Sequence, residues 1–156
     1  MKEAGIWFLK SILETNMELN TISNQLAQFL AGLSGVIMAI TLTQIFASSG
    51  TQKIGFLIIT LTCFIVIFIS IGVIRPKIGK NKLNLMYYKG ILKLTKEKYI
   101  REVNLAIRND KKFVEEFCEE IYDLSLELKQ KFRIIRLGAD VLAVGLFIGI
   151  IMVFVG

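Results

Sequence analysis

The 156-residue sequence contains no histidine, a single proline and only two cysteines. Without histidine, the chain lacks the side chain that most often serves as a general base and most often binds metals. Cys63 lies in a long apolar stretch and Cys118 in a charged one, and we interpret both as structural thiols. These scarcities argue against an active site built on histidine and against a metal centre.

Other catalytic patterns are also missing. The sequence has no Walker loop, no G-x-G-x-x-G and no C-x-x-C pair. Its carboxylate cluster consists of the pairs Glu115-Glu116 and Glu119-Glu120, which on a helix surface are typical of a solvated face. We therefore expect no catalytic residue, no metal and no cofactor, and we interpret the protein as a non-enzyme.

Charge is scarce in three long apolar stretches, of which two hold no charged residue and the third holds only Asp140. A helix needs about 20 apolar residues to cross the hydrocarbon core, so each stretch predicts a membrane span. The first begins at Leu26 without an A-x-A pattern after it, so we expect no cleaved signal peptide. The predicted organisation is an amphipathic N-terminal segment (1–25), transmembrane helices (26–46, 54–74 and 137–155) and a charged segment (75–136).

The charged residues are concentrated between the second and third spans. The segment Arg75–Arg136 holds 16 of the 19 basic residues and 9 of the 13 acidic ones, whereas the loop Ala47–Lys53 holds one lysine. Basic residues near the ends of spans stay in the cytoplasm. This distribution predicts a multi-pass protein whose N-terminus and charged segment are cytoplasmic.

Within the charged segment, Thr95 is typical of an N-cap that opens a helix to about Arg108, and Asn109-Asp110 predicts a turn before a second helix. The second helix carries a heptad-like stripe that Lys131 interrupts. No proline or glycine interrupts this helix before Gly138, so we expect it to continue into the third span. The fold class predicted is an all-α integral membrane protein with three transmembrane helices and a cytoplasmic helical hairpin. The stripe consists of Val114, Phe117, Ile121, Leu124, Leu128 and Ile135.

Several residues are candidates for helix packing or for function at membrane depth. The small-residue pairs Gly145/Gly149 and Ala31/Gly35 permit close helix approach, within one chain or between chains. Asp140 and Gln44 are polar groups inside spans; Asp140 has either a functional role or an interfacial one near Arg136. Further hydroxyls and amides in the first two spans favour a packed bundle, with a pore as the alternative.

A basic group near the membrane has two interpretations. Its side chains contact either lipid phosphates or an anionic ligand such as a nucleotide phosphate, and the sequence favours lipid. The group comprises Arg75, Lys129, Lys131, Arg133 and Arg136.

The order and spacing of several short runs resemble the Pycsar effector transmembrane family. The resemblance extends from about Asn24 to the end of the sequence, and Phe132 stands where a tyrosine is usual. It also includes Arg75-Pro76 after the second span. The runs are Tyr87-Tyr88-Lys89-Gly90-Ile91, Leu94-Thr95 with Tyr99, Ile121-Tyr122-Asp123-Leu124-Ser125, and Lys129 with Phe132 and Arg136.

The resemblance implies a bacterial antiphage effector in the inner membrane. A partner cyclase makes a cyclic nucleotide on infection, and the effector then impairs the membrane, which is abortive infection. We expect the lipid bilayer as a partner, a homo-oligomer and no nucleic acid. The alternatives are a membrane-anchored interaction module that docks a partner through the hairpin, and a small channel subunit.

Overall fold

The computed structural model describes residues 3–74, 95–108 and 110–155. Every described residue except Ser48, Ser49 and Thr95 is helical, and no strand occurs among them, so the predicted all-α class is confirmed. The four helices are α1 (Glu3–Ala47), α2 (Gly50–Ile74), α3 (Lys96–Arg108) and α4 (Asp110–Val155).

Three helical segments are long and apolar enough to cross a membrane: Trp7–Ala47, Gly50–Ile74 and Phe117–Val155. The predicted N-terminal segment and first span form one helix, α1, of 45 residues. This continuity follows from the lack of proline and glycine between Ile6 and Ala31. The protein is therefore a membrane protein with three spanning helices.

The connection between α1 and α2 consists of Ser48 and Ser49. The backbone N–H of Ser48 donates to the carbonyl of Gln44 at 3.0 Å, and α2 already begins at Gly50. Gly50 has a φ of +62°, a conformation that glycine adopts without the steric penalty of a Cβ. The tight turn sets α2 directly beside α1, where the hydroxyls of Thr41 and Thr60 hydrogen bond at 2.8 Å.

The two helices predicted for the charged segment are both present. The hydroxyl of Thr95 accepts a hydrogen bond from the backbone N–H of Lys98 at 3.4 Å, which confirms its capping role. α4 runs for 46 residues without a break, so the predicted continuity into the third span is also confirmed. The predicted turn residue Asn109 and the segment 75–94 lie outside the described residues.

The chain divides into two compact units. One contains α3, the part of α1 before Asn20 and the part of α4 before Lys129. In this unit the side-chain amide of Asn16 donates to the hydroxyl of Ser125 at 3.1 Å, which joins α1 to α4.

The other unit, which we call the membrane bundle, contains the rest of α1, all of α2 and the rest of α4. All of its buried residues except Cys63 recur at spacings of three and four, or their sum of seven, as in coiled coils. We call this buried face the bundle seam. It comprises Ser23, Ala27, Ser34, Thr41 and Ile45 on α1, Gly55, Ile59, Thr62, Val66, Ser70 and Val73 on α2, and Lys131, Ile135, Gly138, Leu142, Gly145 and Gly149 on α4.

Small residues let α2 and α4 approach closely. A Cβ built on Gly55 would lie 2.8 Å from the carbonyl oxygen of Gly149, and one built on Gly145 would overlap the side chain of Thr62. Because lipid is as apolar as leucine, helices in membranes associate through close packing and hydrogen bonds rather than through hydrophobic burial. The glycines of α4 therefore bring its backbone against α2.

Apolar side chains occupy the core and the outer surface of the membrane bundle alike. Val66, Cys63 and Leu142 pack in one buried cluster, to which α1 adds Leu30 and Ile37. On the outside, large apolar side chains are more than half exposed and meet lipid in a bilayer, among them Phe29, Phe46, Phe68, Phe147 and Phe154.

The glycines make a paired test of this packing. Gly145→Ala places a methyl group against Thr62, and we expect a loss of about 1–3 kcal/mol in unfolding free energy from overpacking. Gly35→Ala is the control, because a Cβ there meets nothing within 4 Å and helix propensity alone gives a small gain. Thermal unfolding in detergent micelles measures both. Equal midpoints for the two variants would contradict the close α2–α4 contact.

Candidate functional site: polar groups in the bundle seam

A large share of the buried side chains among the described residues is polar. Seven buried residues are polar or charged, against nine hydrophobic ones. Such a share suits a bundle in lipid, where a polar group finds its hydrogen-bond partner on another helix or on its own backbone. No group of three metal-binding side chains occurs in the part of the chain that is described. The candidate site is therefore a set of buried polar groups.

Lys131 is the charged member of this set. Its side chain is 5% exposed, and its ammonium donates to the Oδ1 atoms of Asn20 at 2.6 Å and of Asn24 at 3.3 Å. The two asparagines are four residues apart on α1, so they share one face of the helix. An ammonium has only donors, which requires both amides to turn their oxygens toward it.

The position of Lys131 explains why it interrupts the apolar stripe in the sequence. It lies at the seam spacing, four residues before Ile135, so its stem enters the bundle where an apolar side chain would otherwise stand. Burial of a charge is costly unless acceptors replace water. Asn20 and Asn24 supply these acceptors, so the three residues form one polar cluster between α1 and α4, which we call the lysine cluster.

Hydroxyl groups continue the polar character of the bundle seam at membrane depth. Thr41 and Thr60 bond to each other across the α1–α2 contact, and the hydroxyl of Thr62 donates to the carbonyl of Ile58 at 2.8 Å. The Oγ atom of Ser34 is buried and has no hydrogen-bond partner among the described residues. We call Ser34, Thr41, Thr60 and Thr62 the hydroxyl lane.

The apolar layer of Ala27, Val73 and Ile135 is a second buried cluster, to which all three helices contribute. Ala27 follows Asn24 by three residues and precedes Ser34 by seven. The apolar layer therefore lies between the lysine cluster and the hydroxyl lane along α1.

The structure separates the basic group that the sequence placed together. Lys131 points into the membrane bundle, whereas Lys129, Arg133 and Arg136 are exposed on α4. Arg133 and Arg136 line a shallow depression together with Asp140. Arg75 lies outside the described residues. Contact of the exposed members with lipid phosphate or an anionic ligand stays a prediction.

The other candidates occupy different surroundings. Gly145 and Gly149 are buried against α2, with the Cβ of a substituted Gly149 overlapping Ile59. Ala31 and Gly35 are half-buried, and Gln44 and Asp140 are exposed. The two small-residue pairs are thus not equivalent, because a Cβ on Gly35 enters open space.

Sequence reasoning missed Asn20 and Asn24. It treated residues 1–25 as an amphipathic segment and did not consider that an asparagine there could face a lysine far along the chain. One signal was present: Asn16, Asn20 and Asn24 recur every four residues on one helix. Such a row of amides is unexpected on a face that meets only lipid.

Comparison with known protein families gives a match over most of the chain. The family model PycTM, the Pycsar effector protein domain, matches residues 8–156. The matched range includes α2, α3, α4 and all but the first residues of α1. Searches of curated proteins and of solved structures gave no match.

Removal of one acceptor from Lys131 should weaken the membrane bundle. Asn20→Ala deletes the 2.6 Å hydrogen bond to a buried ammonium, and we expect a loss of about 1.5–3 kcal/mol in unfolding free energy. That loss corresponds to a fall of several degrees in the thermal midpoint in detergent micelles. Gln25→Ala is the control, because Gln25 is exposed on the same helix. A fall of similar size in the control would show that the cluster contributes nothing specific.

Proposed function

This chain belongs to the Pycsar effector family, and on that premise we propose that it impairs the integrity of the bacterial inner membrane when a cyclic nucleotide triggers it. As a member it is a membrane antiphage effector. The observation that carries the proposal is the family match over residues 8–156, which takes in all three spanning helices. In this proposal the membrane is the target of the protein as well as its location, and infected cells stop supporting phage.

The packing of the membrane bundle supports an action on the membrane. Its helices contact each other through glycines, hydroxyl groups and the lysine cluster. Interhelical hydrogen bonds in membranes are worth only about 0.6 kcal/mol each on average. A modest free energy of ligand binding or of oligomerisation is therefore enough to shift such a bundle between two arrangements.

The route of the signal is suggested by α4. This helix runs from Asp110, in the charged segment, to Val155, at the end of the third span. A change imposed on its first turns acts on the same hydrogen-bonded helix that packs against α2 in the membrane bundle. We place the charged segment and the N-terminus in the cytoplasm, following the distribution of lysine and arginine. The effector then acts by binding and rearrangement, as a homo-oligomer, beside a cyclase that makes the signal.

Phage challenge with a membrane-potential dye tests the proposal. Cells that express the wild-type protein with a pyrimidine nucleotide cyclase should depolarise on infection and resist phage. The double variant Gly145→Leu/Gly149→Leu should lose both effects, because leucine side chains cannot fit against Thr62 and Ile59. Gly35→Leu should keep both, since its Cβ enters open space.

Membrane fractionation measures whether each variant is inserted in the membrane. Normal insertion and full protection by the double variant would favour the membrane-anchored interaction module, whose spans only hold the hairpin in place. A wild-type protein that neither depolarises cells nor protects them would contradict the proposed function itself.

A further inference from the structure

The membrane bundle buries polar groups at the depth where the chain is otherwise free of charge. No charged residue occurs in α1 between Glu18 and the end of the helix, yet Ser34 and Thr41 are buried there rather than replaced by apolar residues. Thr60 and Thr62 add hydroxyls from α2. In the described arrangement the three threonines bond to each other or to helix carbonyls.

Ser34 has a different status from the threonines. It is 0% exposed and its Oγ atom is without a hydrogen-bond partner among the described residues. A hydroxyl buried without a partner loses about 1–3 kcal/mol relative to one that is hydrated or bonded. This penalty lowers the free-energy difference between the closed bundle and any arrangement that admits water to Ser34.

The apolar layer is suited to close the lane at one end. Ala27, Val73 and Ile135 come from the three helices and meet each other, with Leu30 and Ile134 packed against them. Apolar constrictions of this kind block ions in channels because water leaves them. Separation of the helices at the apolar layer would join the hydroxyl lane to the lysine cluster.

Lys131 lies on the other side of the apolar layer from the hydroxyl lane. It precedes Leu137, the first residue of the third apolar stretch, by six residues, or about 9 Å along a helix. The side chain of Lys131 is buried in the bundle seam, whereas the charged side chains of Lys129 and Arg133 are exposed. An ion moving along an opened seam would therefore pass a fixed positive charge before it reached the hydroxyl lane.

We propose that the bundle seam is the ion path of the activated effector, with the apolar layer as its gate and Lys131 as the residue that makes the path favour anions. The inference rests on the proposed function, because it names the residues through which the membrane is impaired. Lysine and arginine select anions in pores through the attraction of a fixed positive charge. The attraction is strong in a narrow path, where little water screens it.

Charge reversal at Lys131 tests the selectivity. Purified protein in a planar bilayer under a KCl gradient is treated with cyclic CMP and with cyclic UMP, and the reversal potential gives the chloride-to-potassium permeability ratio. Wild type should favour chloride, and Lys131→Glu should lower the ratio about tenfold or more, because a cation-attracting charge replaces an anion-attracting one. Both asparagine amides can turn their NH₂ groups toward the new carboxylate, so the variant keeps hydrogen bonds in the cluster.

Lys111→Glu is the matched control. It makes the same change of charge at an exposed position of α4, twenty residues earlier, and should leave the ratio near the wild-type value. An equal shift in both variants, or a wild-type conductance that favours potassium, would overturn the role of Lys131. Absence of any conductance in the wild type would count against the proposed function and remove the path with it.

Water access to the hydroxyl lane gives an independent test. Ser34→Cys is made in a background of Cys63→Ala and Cys118→Ser, together with a Val36→Cys control whose native side chain is 61% exposed on the outer surface. A charged, membrane-impermeant thiol reagent reacts with thiolates, which form in water and not in hydrocarbon. We expect labelling of Ser34→Cys only in the presence of the cyclic nucleotides, and none of Val36→Cys. A conducting protein in which Ser34→Cys stays unlabelled would show that ions pass elsewhere.

Discussion

Hydrocarbon offers no hydrogen-bond partner and no hydrophobic gain for helix association, and the membrane bundle is built around this constraint. Apolar side chains cover its outer surface because lipid accepts them. Inside, glycines bring α4 against α2, and hydroxyls find partners on a neighbouring helix or on the preceding turn. The result is an interior that is more polar than its lipid-facing surface, the reverse of a water-soluble domain.

The lysine cluster is the point at which this interior carries a charge. Lys131 occupies a position that the heptad spacing assigns to the core, and Asn20 and Asn24 replace the water that its ammonium would otherwise keep. Removal of a partner from such a group is more damaging than removal of a surface charge, because a buried donor is then left incomplete. The cluster therefore joins α1 to α4 at the end of the bundle where α4 passes from its charged stretch to its apolar one.

Much of the fold follows from the sequence, because its strongest signals are local. The apolar stretches predict three spans, Thr95 predicts the start of α3, and the absence of proline and glycine between Asp110 and Gly138 predicts the continuous α4. The candidate site is harder to predict from the sequence than the fold is. Lys131 is recognisable as a break in the stripe, but its partners Asn20 and Asn24 lie more than a hundred residues earlier. Local periodicity carries no information on such a pairing, nor on which of two small-residue pairs meets another helix.

The spacing of the bundle seam alone does not fix the register of α4 against α1, and Lys131 does. Positions on α4 repeat every seven residues, so the helix could shift along α1 by one repeat, about 10 Å, and still present a seam of similar shape. Such a shift would bring Gly138 opposite Asn20 and Asn24, and would separate these two half-buried amides from the lysine. The lysine thus specifies a single register for two long helices that point the same way, as a lone polar residue does in coiled coils. Changes of state in this protein are on that account expected to separate helices rather than to slide them.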